Sequence, residues 1–261
     1  MRIDKNPSAI AVFLKRTVRD LARSLGYQIV SSDALEDRAF ALHLEQLFHK
    51  LDVQCVLDVG ANSGQYRRFL RDLVGYQGLI ISFEPQQVNV ARLREQAKTD
   101  PKWIIQDYAL GSEDARRSFN VMKLDLLSSF REPDSSAVPM LHDFNVVDYR
   151  EDVEVRRLDS VIDGLRSRHA LRNPYLKLDT QGFDLEVIRG APATLPTVRA
   201  LQTELSMQPI YKDAPPFRVM LDALTERNFA ITGMFPVVRD QTMRVVEFDC
   251  VLVNVDDARV S

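Results

Sequence analysis

The residues with reactive side chains in this chain stand at the ends of apolar runs. One run ends in Asp58 and passes into Gly60-Ala-Asn-Ser-Gly64, a turn of small residues that opens a helical pattern. A second run, 79–83, ends in Glu84, 20 residues after Gly64. Asp179 and Glu204 close two later runs. A glycine turn after one strand and an acid after the next is how an open α/β sheet binds a nucleoside. The glycines let backbone approach the ligand, and a carboxylate accepts hydrogen bonds from both ribose hydroxyls. The plainer readings are a tight strand-to-helix turn and an exposed strand-end acid.

The turn narrows the choice of nucleoside. A dinucleotide fingerprint needs G-x-G-x-x-G, with a pyrophosphate on the helix N-terminus. Here Asn62 replaces the middle glycine and the third falls out of place. That weighs against NAD and a dehydrogenase. S-adenosylmethionine carries no phosphate but does carry an ammonium. Asp58, at the end of the first run, suits that ammonium or the water around it.

Asp179 and Glu204 stand where open α/β sheets bind ligands, at the carboxyl ends of strands. Neighbouring strands lie about 4.8 Å apart, so two strand-end carboxylates can share a site. If the acceptor is an alcohol, it needs a base or a metal to become a nucleophile at neutral pH. Asp179 is a candidate base or hard-cation ligand, and Glu204 a second ligand or an orienting group; Mg²⁺ is the cation such a pair would take. The plainer reading pairs them with Lys177 or Arg199. His142 is a second candidate base, because it lies in the 107–157 excursion and long irregular segments are often functional. Its alternative is a solvated loop histidine. His43, His49 and His169 receive no role, and no His/Cys cluster has zinc spacing.

Alternating elements must position these groups. The pattern predicts strands at 54–59, 79–83, 102–106, 175–178, 198–203, 229–234 and 245–255. Helices are expected at 64–74, from Pro85 to about 98, at 158–165, from 183 to about 189 and at 216–227. The last two strands are joined tightly enough to form a hairpin, so one runs antiparallel to the rest. Residues 1–52 form an N-terminal helical extension to the 53–261 domain. Ile10, Phe13, Leu14, Val18, Leu21 and Leu25 make an apolar stripe, with Lys15, Arg16, Arg19 and Arg23 opposite. It is a helix docked on the domain or used in oligomerisation; the alternative is weak contact with an anionic membrane surface. Asp33 can cap a second helix, whose apolar face is Phe40, Leu44, Leu47, Phe48 and Leu51.

A chain of 261 residues with 45% hydrophobic content supports one sizeable core. A net charge of −3 argues against a nucleic-acid partner. Asn173-Pro174-Tyr175 resembles an amino-group methylation motif, but it precedes its strand instead of following it. Cys55 and Cys250 flank apolar runs and read as buried thiols, consistent with the reducing cytoplasm. No run of 18 apolar residues predicts a transmembrane helix, and the N-terminus lacks signal-peptide features.

Ordered motifs over residues 53–235 resemble the FkbM family of S-adenosylmethionine-dependent methyltransferases. The matching pieces are Asp58-Val-Gly-Ala-Asn-Ser-Gly-Gln-Tyr66, Phe83-Glu-Pro85, Ala109-Leu-Gly111, Ser128-Ser129, Leu158-Asp-Ser160 and Lys177-Leu-Asp-Thr-Gln-Gly-Phe-Asp184. The resemblance implies a Rossmann-like class I methyltransferase with a seven-stranded sheet, order 3-2-1-4-5-7-6 and strand seven antiparallel. It implies O-methylation of a hydroxyl on a sugar, glycolipid or secondary metabolite, hence a small-molecule or glycan acceptor. It assigns Gly60, Asn62 and Gly64 to the cofactor loop and Glu84 to the ribose. Asp107, Tyr108 and Ala109 fall where an adenine would lie, and Ser128 and Ser129 in the acceptor pocket. Two alternatives remain: a divalent-metal-dependent enzyme of the same fold, and a nucleoside-binding protein without transfer activity.

Overall fold

A computed structural model describes residues 35–134, 138 and 141–256. The helix expected over 7–25 and the capping role of Asp33 lie outside them. The chain divides into two compact units, 1–39 and 40–261. The extension expected over 1–52 is therefore split, since residues 40–51 belong to the unit that holds the sheet.

That unit is built on a seven-stranded sheet. Its strands are β1 (Cys55–Val59), β2 (Leu79–Phe83), β3 (Trp103–Gln106), β7 (Pro174–Leu178), β8 (Ala200–Ser206), β9 (Phe229–Arg239) and β10 (Val245–Asn254). They lie in the order β3-β2-β1-β7-β8-β10-β9. Counted within this sheet alone, that is 3-2-1-4-5-7-6. β10 runs antiparallel to both its neighbours, as the hairpin requires. A smaller sheet, β4 (Ala109–Leu110), β6 (Val147–Arg156) and β5 (Ala115–Met122), takes up much of the 107–157 excursion. β5 and β6 pair antiparallel over their length.

All five residues of β1 are buried, because helices cover both faces of a parallel sheet. Cys55, Leu57 and Val59 face one side. There they join Leu158, Ile162 and Leu165 of α4 (Leu158–Arg168), Leu185 and Ile188 of α5 (Asp184–Arg189), and Met220 and Leu224 of α6 (Phe217–Thr225). Val56 faces the other side, with Leu44 and Phe48 of α1 (Leu35–Leu51), Tyr66 of α2 (Gln65–Phe69) and Leu93 of α3 (Gln87–Ala97). The helix expected over 64–74 changes pitch: α2 passes into a π-helical turn, Leu70–Val74, that ends at Gly75.

The α1 side of the sheet carries polar residues near the carboxyl ends of the strands. Ser82, Asp58, Lys177 and Gln202 stand in register on β2, β1, β7 and β8. Trp103 Nε1 donates to Ser82 Oγ at 2.9 Å, and Ser82 Oγ donates to Asp58 Oδ2 at 2.7 Å. Gln202 Oε1 accepts from Tyr66 and Tyr175, and its Nε2 donates to Asp249 of β10 at 2.6 Å. Each residue of the row has a hydrogen-bond partner, and the one oxygen without such a bond, Asp58 Oδ1, lies 3.2 Å from the Lys177 ammonium.

Phe48 packs edge-on against Tyr175, with centroids 4.8 Å apart, and Leu44 is fully buried. Leu44→Ala is therefore expected to cost the sheet unit about 2–5 kcal/mol. Urea unfolding followed by tryptophan fluorescence reads this directly through Trp103. An unchanged midpoint would mean that residues 40–51 fold apart from the sheet.

Candidate active site

The turn after β1 is held by two contacts to the next strand and one to the next loop. Gly60 N–H and Ala61 N–H both donate to Phe83 O, at 3.1 and 3.2 Å. Gly60 has φ +80°, and a Cβ there would lie 1.9 Å from Asp179 O. No other residue fits that approach. Asn62 also adopts a left-handed φ of 44°. Its N–H donates to Glu84 Oε2 at 2.7 Å, while Gln86 N–H donates to Glu84 Oε1 at 2.9 Å. Glu84 is thus fixed at both oxygens by backbone, and each keeps a lone pair. Burial pushes its carboxyl up to about 7, against the opposing pull of the two N–H groups.

Beneath the turn lies Lys177, 3% exposed. Its Nζ is 3.2 Å from Asp58 Oδ1, 3.3 Å from Asp179 Oδ2 and 3.1 Å from Gly60 O. Burial pulls the ammonium down, but the Asp179 and Asp58 carboxylates outweigh it and hold it above the ordinary lysine value. Asp58 is fully buried and does not line the cavity, because side chains alternate along β1 and this one points under the sheet's helical cover. Where contact with a methionine ammonium or the water around it was expected, Asp58 is engaged by Lys177 and Ser82 instead.

Above the strand ends is a cavity of about 340 Å³, within the usual range for small-molecule sites. Its lining includes Gly60, Asn62, Phe83, Glu84 and Ala109, and also Asp179, Gln181, Glu204 and Glu247. Gly64 does not line it. That residue lets α2 start close to Trp103, whose ring a Cβ would meet at 2.8 Å. Asp107 and Tyr108 are also outside the lining. Asp107 pairs with Arg94 at 2.9 Å on the surface, and Tyr108 packs on Phe83. Of the adenine trio only Ala109 reaches the cavity. His142 is solvent-exposed beside Asp143 and does not line the cavity, so it is not placed to act as a base there.

Asp179 and Glu204 are brought together. Gln181 Nε2 donates to Asp179 Oδ1 at 3.0 Å and to Glu204 Oε2 at 2.8 Å. Gln181 has φ 53°, and its Oε1 lies 2.7 Å from Tyr211 Oη. Ser129 Oγ donates to Gln181 O at 2.6 Å, so this serine positions the loop, whereas Ser128 lines the cavity. Burial, then the charges of Glu247 and Asp179, push the Glu204 carboxyl well above the ordinary carboxyl range. Among the described residues no group of three or more His, Cys, Asp or Glu is arranged to hold a metal ion.

Two further parts escaped the sequence reading. Glu247 lies on β10, whose alternation looked like that of any half-buried strand. Asp125 lies in a short 3-10 turn, Asp125–Leu127, that folds back onto the glycine loop. Asn62 Nδ2 and Asn89 Nδ2 both donate to Asp125 Oδ2 at 3.0 Å, while its buried Oδ1 has no partner among the described residues. Nothing local in the sequence points that turn at the loop; Asn62 and Asn89 as paired amide donors were the available signal.

A seven-stranded sheet with one antiparallel strand, a glycine turn and a strand-end acid define a class I methyltransferase. The chain belongs to the FkbM methyltransferase family, whose domain, "Methyltransferase FkbM domain", matches residues 58–231. It is 30% identical over 211 residues to the 2-O-methyltransferase NoeI of Sinorhizobium fredii, covering 76% of this chain and 79% of that protein. Among solved structures it resembles an S-adenosylmethionine-dependent methyltransferase from Aquifex aeolicus, with 12% identity, TM-score 0.40, and 91% of this chain and 98% of the other covered. It also resembles the Aeropyrum pernix fibrillarin bound to S-adenosylmethionine, with 10% identity, TM-score 0.41, and 77% and 66% covered. This protein is an S-adenosylmethionine-dependent methyltransferase. The residues present fit that donor: a loop that only glycine permits at Gly60, free lone pairs on Glu84, and the unpartnered Asp125 Oδ1.

Removing Lys177 would leave two carboxylates facing each other without their cation. Lys177→Met is expected to cost about 3–5 kcal/mol of stability. Adding Asp58→Asn should recover part of that loss, because the fully buried charge goes with its partner. Chemical denaturation of both variants tests this. Equal stability for the single and double variants would show that the Lys177–Asp58 pair is not coupled.

Proposed function

We propose that this enzyme transfers the methyl of S-adenosylmethionine to a hydroxyl of a sugar or glycolipid. The observation that carries the proposal is that three carboxyl groups, Asp179, Glu204 and Glu247, line the same cavity as the glycine loop. Carboxyl oxygens are hydrogen-bond acceptors matched to a polyhydroxylated ligand. The relative NoeI is named for 2-O-methylation, which supports oxygen as the acceptor atom.

In this reading Gly60 and Asn62 approach the donor with backbone, and Glu84 takes its ribose hydroxyls. The donor supplies an electrophilic methyl. Everything else falls to the chain. Asp179 and Glu204, joined by Gln181, hold the acceptor so that its oxygen is in line. Glu204, which accepts from Gln181 at Oε2, offers its other oxygen to the acceptor. The apolar residues Leu124, Leu126, Leu127 and Leu141 cover the cavity and limit water.

The test is incubation with methyl-labelled S-adenosylmethionine and a panel of methyl glycosides, scoring labelled sugar and S-adenosylhomocysteine together. Glu84→Ala should weaken S-adenosylhomocysteine binding by about 10-fold or more in calorimetry, the scale of one lost charged hydrogen-bonding group. Unchanged affinity removes Glu84 from the site. Label transferred to an amine acceptor and to no glycoside overturns the sugar-hydroxyl reading.

A further inference from the structure

The hydroxyl proton must go somewhere, and the strand-end residues that hold the acceptor are already engaged. Asp179 has one oxygen on Lys177 and the other on Gln181. Glu204 accepts at Oε2 from the same Gln181 amide, at 2.8 Å. The third of these carboxyls differs. Glu247 sits on β10 directly opposite Ser206 of β8, and the next pair along the same face is Asp249 opposite Glu204. It is 6% exposed and lines the cavity. Ser206 Oγ donates to its Oε1 at 2.9 Å, while Oε2 has no donor among the described residues.

We propose that Glu247 is the general base, and that its Oε2 receives the proton of the acceptor hydroxyl. This rests on the hydroxyl reading above. The bookkeeping closes with no further reactant. The acceptor oxygen forms the C–O bond as the donor's S–CH₃ bond breaks and leaves its electron pair on sulfur, and the O–H proton passes to Glu247. The charge environment supports the role. Burial, with Asp179, Asp249 and Asp184 adding repulsion, raises the Glu247 carboxyl to about 7 against the pull of Ser206. Glu204 and Tyr211 also face it, and burial followed by the Glu247 charge pushes both groups well up. A base with that value is half ionised at neutral pH and strong enough to accept a proton in the transition state.

The acidic limb of kcat/KM against pH should therefore have its midpoint near 7, with turnover lost as pH falls through it. In Glu247→Gln kcat should drop by about 100-fold or more and the limb should vanish. S-adenosylhomocysteine affinity, read by calorimetry, should stay within threefold of wild type. Ser206→Ala, which removes the hydrogen bond that favours the ionised form, should move the limb to higher pH. Carbon NMR of ¹³C-labelled glutamate carboxyls supplies a readout that needs no acceptor. The signal lost in Glu247→Gln should titrate near 7 in the wild type. A midpoint near 4.5, or turnover of Glu247→Gln within threefold of wild type, overturns the assignment. If the wild type methylates no glycoside, the sugar reading fails, and the NMR midpoint alone decides whether Glu247 is poised as a base.

Discussion

The site depends on one buried ammonium. Lys177 reaches the carbonyl of Gly60, the carboxylate of Asp58 and the carboxylate of Asp179, and so ties the turn after β1 to the loop after β7. Residues of both loops line the cavity. A lysine so deep would ordinarily lose its proton, yet the Asp179 and Asp58 carboxylates beside it keep it charged, and it donates to the Gly60 carbonyl. The Tyr66 ring, 5.2 Å from Nζ, adds a further favourable face. The cation adds to a close approach that the β1–β7 ladder already sets, with Asp179 N–H donating to Val59 O at 3.2 Å.

From that point polar order spreads across the sheet. Asp58 is steadied by Ser82, and Ser82 by Trp103. On the other side Gln202 links Tyr66 and Tyr175 to Asp249. The row lies on the face that α1 covers, so residues 40–51 do more than shield apolar surface: they keep water from a network that is costly to leave half-made. Fold stability and site geometry meet in the same row of side chains.

Much of this was legible in the residues because it is local. Apolar runs ending in acids, glycine turns and alternating periods marked the sheet, and the hairpin at its end required an antiparallel strand. Glu84 and Asp179 were legible for the same reason, since each stands at a strand end beside a small-residue turn. What failed was long-range. Asp58 looked free to meet a ligand because its partner, Lys177, is distant in sequence; only the β1–β7 register pairs them. His142 looked well placed because it lies in the right segment, but that segment turns its ring to solvent. Glu247 was invisible because a single acid in a β-strand says nothing of the strand it will face. Its meaning comes from the β8–β10 pairing, which sets it against Ser206 and places Asp249 beside Glu204.

The distribution of charge then gives the cavity its chemical character. On one side a cation has been placed to satisfy carboxylates; on the other, carboxyls crowd together without one. Glu204, Glu247 and Asp249 all have raised affinity for protons, first by burial, with the charges of Asp179 and Asp184 adding repulsion to each. Such a cluster costs stability in the free protein, because uncharged or smaller side chains would pack there without repulsion. Its retention makes sense if the cavity must hold neutral hydroxyls while keeping one proton acceptor near neutrality. Lys177 stops at Asp179 and does not reach Glu247. Had it done so, the ammonium would have drawn that carboxyl down and removed its capacity to accept a proton. The same lysine that builds the site therefore also sets, by how far it extends, where acid-base chemistry can take place.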